Sequence, residues 1–142
     1  MAKSARGKTR SCLSAHSRAI DDGPQIDLVL IGDGPARQRF EQLADDLDIS
    51  DRVHFLGLRN DVSDLLAEAD LVASASVRDG LPPNVVGAMA MEKPLIASLI
   101  RGHVDLIGHR ANGFLTQSLD PDEWGLAIKQ ILSHPKIAAR VG

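Results

Sequence analysis

Ile26-Asp27-Leu28-Val29-Leu30-Ile31-Gly32-Asp33-Gly34-Pro35 is the stretch that decides the fold. Its first six residues, β-branched and leucine-rich, read as a buried parallel strand that ends at Gly32 and runs into a tight loop. A helix is expected next. Phe40, Leu43, Ala44 and Leu47 fall at the i, i+3, i+4, i+7 spacing of one helical face, with Arg37, Glu41, Asp45 and Asp48 largely on the other sides. Strand, glycine turn and helix together open a βαβ unit.

Working outward, the alternation repeats. Val53-His54-Phe55-Leu56 reads as a second strand, and Asp61 is placed to cap a helix carrying Val62, Leu65, Leu66 and Ala69. Leu71 to Ser74 is a third strand. Past the Gly80-Leu81-Pro82-Pro83 turn, a helix starts near Asn84, runs through Val85, Val86, Ala88, Met89 and Ala90, and is ended by Pro94 before a fourth strand, Leu95 to Ser98. Asp120-Pro121-Asp122-Glu123 offers a cap, a proline at the first helical position and a glutamate three residues after the cap; Trp124, Ala127, Ile128, Ile131 and Leu132 follow as an apolar face. Such alternation predicts an α/β fold, a Rossmann-like, doubly wound parallel sheet with right-handed connections. Sheets of this kind bind ligands at the carboxyl ends of their strands, which directs attention to residues 32–35, 57, 74–83 and 98–105.

Composition bounds the function classes. A chain of 142 residues fits one domain and buries roughly 70% of its unfolded surface. With 44% hydrophobic and 25% charged residues it is a globular composition, and the net charge is only −3. Basic residues crowd the start (Lys3, Arg6, Lys8, Arg10, Arg18), but no aromatic is interleaved with them and the chain has no tyrosine, so no nucleic-acid partner is expected. The single Cys12 excludes an intrachain disulfide and a cysteine zinc site, and fits a reducing cytoplasm. No apolar run approaches the ~18 residues of a membrane span, and the first residues lack the apolar core of a secretory signal. Membrane contact is therefore expected to be peripheral, at the inner face.

Gly32-Asp33-Gly34-Pro35 follows a strand and precedes a helix, where backbone N–H groups and the helix dipole can face a phosphate. It lacks the third glycine of a dinucleotide fingerprint and the lysine of a P-loop, so a purely structural turn is an equal reading. More specific is residues 74–94, Ser-Ala-Ser-Val-Arg-Asp-Gly-Leu-Pro-Pro-Asn-Val-Val-Gly-Ala-Met-Ala-Met-Glu-Lys-Pro. A strand ending in serine, an acid followed by Gly-Leu-Pro, then Ala-Met-Ala and Lys-Pro before another strand resembles the signature of the retaining GT-B glycosyltransferases of the exopolysaccharide and capsule type. Leu-Val-Leu-Ile-Gly-Asp-Gly-Pro (28–35), Asp-Arg-Val-His-Phe-Leu-Gly (51–57), Ile-Arg-Gly-His-Val-Asp-Leu-Ile (100–107) and Asn-Gly-Phe-Leu (112–115) match in the same order. The likeness covers residues 11–142 as one nucleotide-sugar-binding domain and leaves residues 1–10 poorly matched.

The resemblance implies the C-terminal half of a GT-B fold, which holds a nucleotide diphospho-sugar, usually of the uridine type, across a cleft from a separate acceptor-binding domain. It implies no metal and no cofactor. Basic side chains and backbone amides meet the diphosphate, and the acceptor attacks from the face that the nucleotide leaves, so configuration is retained. Carried over by residue, Asp79 stands where the family has the glutamate that approaches the sugar's hydroxyls, its catalytic carboxylate. Gly80 and Leu81, with Pro82 and Asn84 beside them, and Gly32 and Gly34 face the donor; Phe55, Leu56 and Gly57 lie beside the base. Arg101, Gly102 and His103 occupy a loop expected to approach the diphosphate.

Three positions depart from the pattern. The family's second glutamate, which holds the ribose hydroxyls, is here Gly87; a charge-assisted hydrogen bond contributes about 1.5–3 kcal/mol, so its loss weakens a donor grip unless water substitutes. Asp79 is shorter than glutamate by one methylene, a retraction of about 1.5 Å. Glu92 stands where the family commonly has glycine, a poor fit if a left-handed turn is required. The family also opens this domain with a strand followed by an arginine and a lysine; nothing before Ser11 reads as that strand, and Arg6 and Lys8 match it poorly. These departures keep a second reading open, a non-catalytic remnant or interaction module of the same fold. A sugar-nucleotide epimerase of this fold fits residues 80–90 less well. Either way the acceptor-binding half must come from elsewhere, and an apolar sheet edge left by the missing strand predicts self-association.

Overall fold

The computed structural model describes Ser14 and residues 25–77, 80–117 and 120–134. Leu28–Ile31 forms β1, and it pairs in parallel with β2 (Val53–Gly57), Leu28 opposite Val53 and Leu30 opposite Phe55. Helix α1 (Arg37–Asp46) and a 3-10 turn (Ser50–Arg52) connect them. Phe40 and Ala44, one turn apart on α1, are buried with Ile49 and Val53 against Leu28, Leu30 and Phe55. That packing is what the apolar face of α1 provides. The helix ends as its geometry requires: Asp48 takes a left-handed φ of 56°, its N–H donates to the Asp45 carbonyl and that of Ile49 to the Ala44 carbonyl, both at 3.0 Å.

After α2 (Val62–Glu68), a second parallel sheet is built from β3 (Val72–Ser74), β4 (Leu95–Ser98) and β5 (Phe114–Thr116), in that order across the sheet. Helix α3 (Pro83–Ala90) joins β3 to β4, the single-turn α4 (Arg101–Val104) follows β4, and α5 (Pro121–Ser133) follows β5. β4 is the central strand and every residue of it is buried. Alternation divides its side chains between two cores. Ile96, with Ala75 and Phe114, packs on Trp124, Ile128 and Ile131 of α5. Leu95 and Ala97, with Val72, pack on Val85 and Ala88 of α3 and on Ile107. A continuous apolar run is what a strand covered on both faces needs.

Four sequence expectations change. The first strand starts at Leu28, while Ile26 packs against the Trp124 core. Among the described residues only one face of β1 is covered: Val29 and Ile31 are 46% and 38% exposed. Helix α3 stops at Ala90, four residues short of Pro94, because Glu92 turns left-handed (φ 52°) and the N–H groups of Glu92 and Lys93 donate to the carbonyls of Met89 and Ala88. Asp61 sits at the start of α2 but makes no cap hydrogen bond, since Arg59 takes its carboxylate. Asp120 does cap α5, accepting the Asp122 N–H at 3.0 Å. Among the described residues no helix is long and apolar enough to cross a membrane.

Candidate functional site

The carboxyl end of the β1–β2 pair is closed by two glycines. Gly32 (φ 125°) and Gly57 (φ 68°) both occupy left-handed backbone, and the Gly32 N–H donates to the Gly57 carbonyl at 2.7 Å. Side chains at these φ values are strained. The turn then tightens, with the Gly34 N–H on Asp33 Oδ1 at 2.8 Å and the Arg37 N–H on the Gly34 carbonyl at 3.1 Å. A Cβ on Gly32 or on Gly34 would meet no atom within 4 Å, so open space lies beside both. The glycine turn and the Phe55-Leu56-Gly57 end are therefore adjacent.

Arg37, which helical spacing alone puts on the polar side of α1, joins them. As the first residue of α1 its Nη2 donates to the Phe55 carbonyl at 3.1 Å, its Nε to Glu41 Oε1 at 2.8 Å, and its guanidinium lies 5.9 Å from the Phe55 ring centroid. The signal available was positional: a cation three residues past Gly34 opens the helix that packs on β2. Just beyond β2, the Arg59 guanidinium bonded to Asp61 holds that carboxyl below its ordinary range.

At the second sheet the strand ends carry hydroxyls. Ser74, Ser76, Ser98, His103 and Thr116 are all buried. The Ser76 N–H donates to Ser98 Oγ at 3.0 Å, tying the segment after β3 to the end of β4. His103 belongs to α4, not to a loop, and its ring is fully buried. Nδ1 lies 2.6 Å from the Ser98 carbonyl and Nε2 lies 3.2 Å from Ser74 Oγ. A carbonyl only accepts, so Nδ1 carries a proton. Arg101, by contrast, is exposed, and Gly102 is buried.

The segment between β3 and α3 is mixed. Gly80 and Leu81 are exposed, Pro82 is buried at the head of α3, and Asn84 is exposed in its first turn. Asp79, the expected catalytic carboxylate, and Arg78 lie outside the described residues, as do Arg6, Lys8, Cys12 and the segment where an opening strand was sought. At Gly87 a Cβ would come 3.0 Å from Leu66 Cδ1 of α2, so absence of a side chain there lets α3 approach α2 closely.

Comparison with known proteins places this geometry in a family. The family model described as glycosyl transferases group 1 matches residues 11–142. The putative glycosyltransferase EpsD of Bacillus subtilis is 34% identical over 119 residues, which is 84% of this chain and 31% of that protein. The chain thus spans about a third of the length of such curated relatives. The crystal structure of HepE from Anabaena in complex with UDP-glucose superposes with a TM-score of 0.83 at 29% identity, covering 92% of this chain and 37% of that one. The C-terminal domain of the group 1 glycosyl transferase LpcC from Francisella tularensis gives a TM-score of 0.86 at 20% identity over 99% of this chain and 75% of its own, a likeness of fold that takes in both sheets. Parallel α/β architecture, glycine-closed strand ends and a match along nearly the whole chain give one conclusion: the chain belongs to the group 1 glycosyltransferases and has the fold of their C-terminal, GT-B domain.

Proposed function

We propose that this domain binds the nucleotide diphospho-sugar donor, of the uridine type, of a retaining glycosyltransferase, and acts on a glycan or glycoconjugate with an acceptor-binding domain supplied by further sequence or another chain. The observation that carries the reading is the stitched rim at Gly32 and Gly57, open on one side and bracketed by Arg37, in a chain that aligns along most of its length with a UDP-glucose complex. In this reading the backbone at Phe55 to Gly57 meets the base, and the amides near Gly32, Gly34, Gly80 and Leu81 meet the phosphates and sugar. Asp79 approaches the sugar hydroxyls, and Arg101 supplies positive charge near the diphosphate. The bond from the anomeric carbon to the diphosphate breaks, a bond to the acceptor oxygen forms on the same face, and the acceptor proton passes to the departing phosphate. The reaction belongs on the cytoplasmic side, where sugar nucleotides are available. Titration calorimetry with uridine and guanosine diphosphates tests it: uridine diphosphate is expected to bind more tightly, and no heat with either at millimolar ligand removes the donor site.

One observation favours a second reading, a domain that keeps the fold without the site. Gly87 stands at the position of the ribose-binding carboxylate and is packed on Leu66, so a longer side chain there displaces a methyl group. Asp79→Glu with Gly87→Glu distinguishes the two. A rise in uridine diphosphate affinity of roughly tenfold, the worth of one charge-assisted hydrogen bond, means the pocket is otherwise intact, whereas unchanged weak binding supports a remnant.

A further inference from the structure

We infer that His103 is a positioning residue that sets where the segment carrying Gly80 and Leu81 leaves the sheet, an inference that rests on the donor-site reading for its consequence but not for its test. The geometry is specific. The ring bridges the last residue of β3 and the last residue of β4: Nδ1–H donates to the Ser98 carbonyl at 2.6 Å, and Nε2 is hydrogen-bonded to the Ser74 hydroxyl at 3.2 Å. Ser98 passes the connection on, because its hydroxyl accepts the Ser76 N–H at 3.0 Å. Three elements meet in this one buried cluster. They are the β3 end, the β4 end and α4, whose own turn is fixed by the His103 N–H on the Ile100 carbonyl at 2.9 Å. Ser74, Ser76 and Ser98 are each nearly inaccessible and His103 is wholly so.

A fully buried imidazole needs partners, and an apolar residue of similar volume would fill the space without any. The hydrogen bonds therefore add direction to packing. They hold the root of the segment after β3, Ser74, against the β4 end, three residues before Val77 and six before Gly80. Since a misplacement of about 1 Å costs a positioned reaction about a hundredfold, a fixed root matters for a segment whose exposed Gly80 and Leu81 are proposed to meet the donor. Both ring nitrogens are committed inside the protein, so His103 acts through the segment.

Amide exchange and nitrogen NMR on the whole chain test this. In the wild type, Nδ1 is expected as a protonated, pyrrole-type nitrogen. His103→Leu is expected to speed exchange at Ser76, Val77, Gly80 and Leu81 by roughly tenfold, the cost of one buried hydrogen-bond partner, while Ile96 in β4 keeps its protection. His103→Asn, which retains a donor near the Ser98 carbonyl, is expected to recover most of the effect. Unchanged exchange at these amides in His103→Leu overturns the inference, as does a pyridine-type Nδ1. Should His103→Leu not fold, Ser74→Ala removes the Nε2 partner alone; faster exchange at Ser76 and Val77 supports the brace and unchanged exchange overturns it. Uridine diphosphate affinity separates the two proposals. If the wild type binds it, His103→Leu is expected to bind about tenfold more weakly, and equal affinity in a folded variant counts against the positioning role. If the wild type binds none, the donor reading falls and the exchange data alone decide the brace.

Discussion

Glu92 occupies left-handed backbone at φ 52°, one residue past the cap of α3, in a turn whose two hydrogen bonds, Glu92 N–H to Met89 and Lys93 N–H to Ala88, are both made. The turn is therefore well formed and only its residue is unsuited. A side chain in this region costs roughly 1–2 kcal/mol, of which glycine's extra unfolded-state freedom returns part. Glu92→Gly is accordingly expected to stabilise the chain by about 1 kcal/mol, read as a higher urea midpoint at constant slope. A lower midpoint would mean that the Glu92 side chain makes a compensating interaction. Gly87 is the converse case. Helix propensity alone favours alanine there by up to ~1 kcal/mol, but Leu66 Cδ1 stands 3.0 Å from the position of the new Cβ and has to give way. The resemblance marks position 87 as a departure from the family's pattern; that Leu66 of α2 fills the space beside it emerges only from packing between helices.

At the scale of elements, periodicity was the reliable guide. Phe40 and Ala44 of α1, Val85 and Ala88 of α3, and Trp124, Ile128 and Ile131 of α5 are all buried, as their spacing predicts, and β4 is buried throughout. Short elements left no such pattern: α4 has four residues, β5 three, and the 3-10 turn three, too few for a period to register. The sequence therefore places His103 in a loop and Ser74 and Ser98 at strand ends, with nothing to indicate the network that joins them to Ser76. Asn112-Gly113 opens the Asn-Gly-Phe-Leu stretch (112–115) that resembles the family pattern, and the fold gives it a reason. Asn112 Oδ1 accepts the Gly108 N–H at 2.7 Å and its Nδ2 donates to the Leu106 carbonyl at 3.2 Å, closing the bend before β5. A Cβ on Gly113 would meet Ile107 Cγ2 at 2.8 Å and the Leu95 carbonyl at 3.4 Å. Because the Ile107 side chain is itself packed in the core beside Leu95, Gly113→Ala is expected to cost about 1–3 kcal/mol, in the range of overpacked cores. Thermal unfolding measures it, and an unchanged midpoint would show that the bend relaxes freely.

For the whole molecule, the uneven covering of its two sheets is the feature with consequences. The three-stranded sheet is packed by α5 on one face and α3 on the other. The β1–β2 pair has α1 on one face, while the opposite face presents Val29, Ile31 and Leu56, 46%, 38% and 36% exposed, with Leu58 beyond them. Strand alternation and the pairing of Val29 with His54 put these side chains on one surface, and an exposed hydrogen bond between His54 Nε2 and Asp27 Oδ1 stands at its border. An apolar surface with a polar border on an otherwise well-packed domain promotes association, since each buried Å² contributes roughly 25 cal/mol. This apolar surface lies on a sheet face, whereas the sequence expectation put a strip along a sheet edge. Sedimentation velocity at rising concentration is expected to show reversible growth of the average sedimentation coefficient. Val29→Thr with Leu56→Thr, which places β-branched residues suited to strands at both positions, is expected to suppress it. A coefficient independent of concentration would show that this surface is satisfied within the chain, and a double variant that associates as before would place the contact elsewhere.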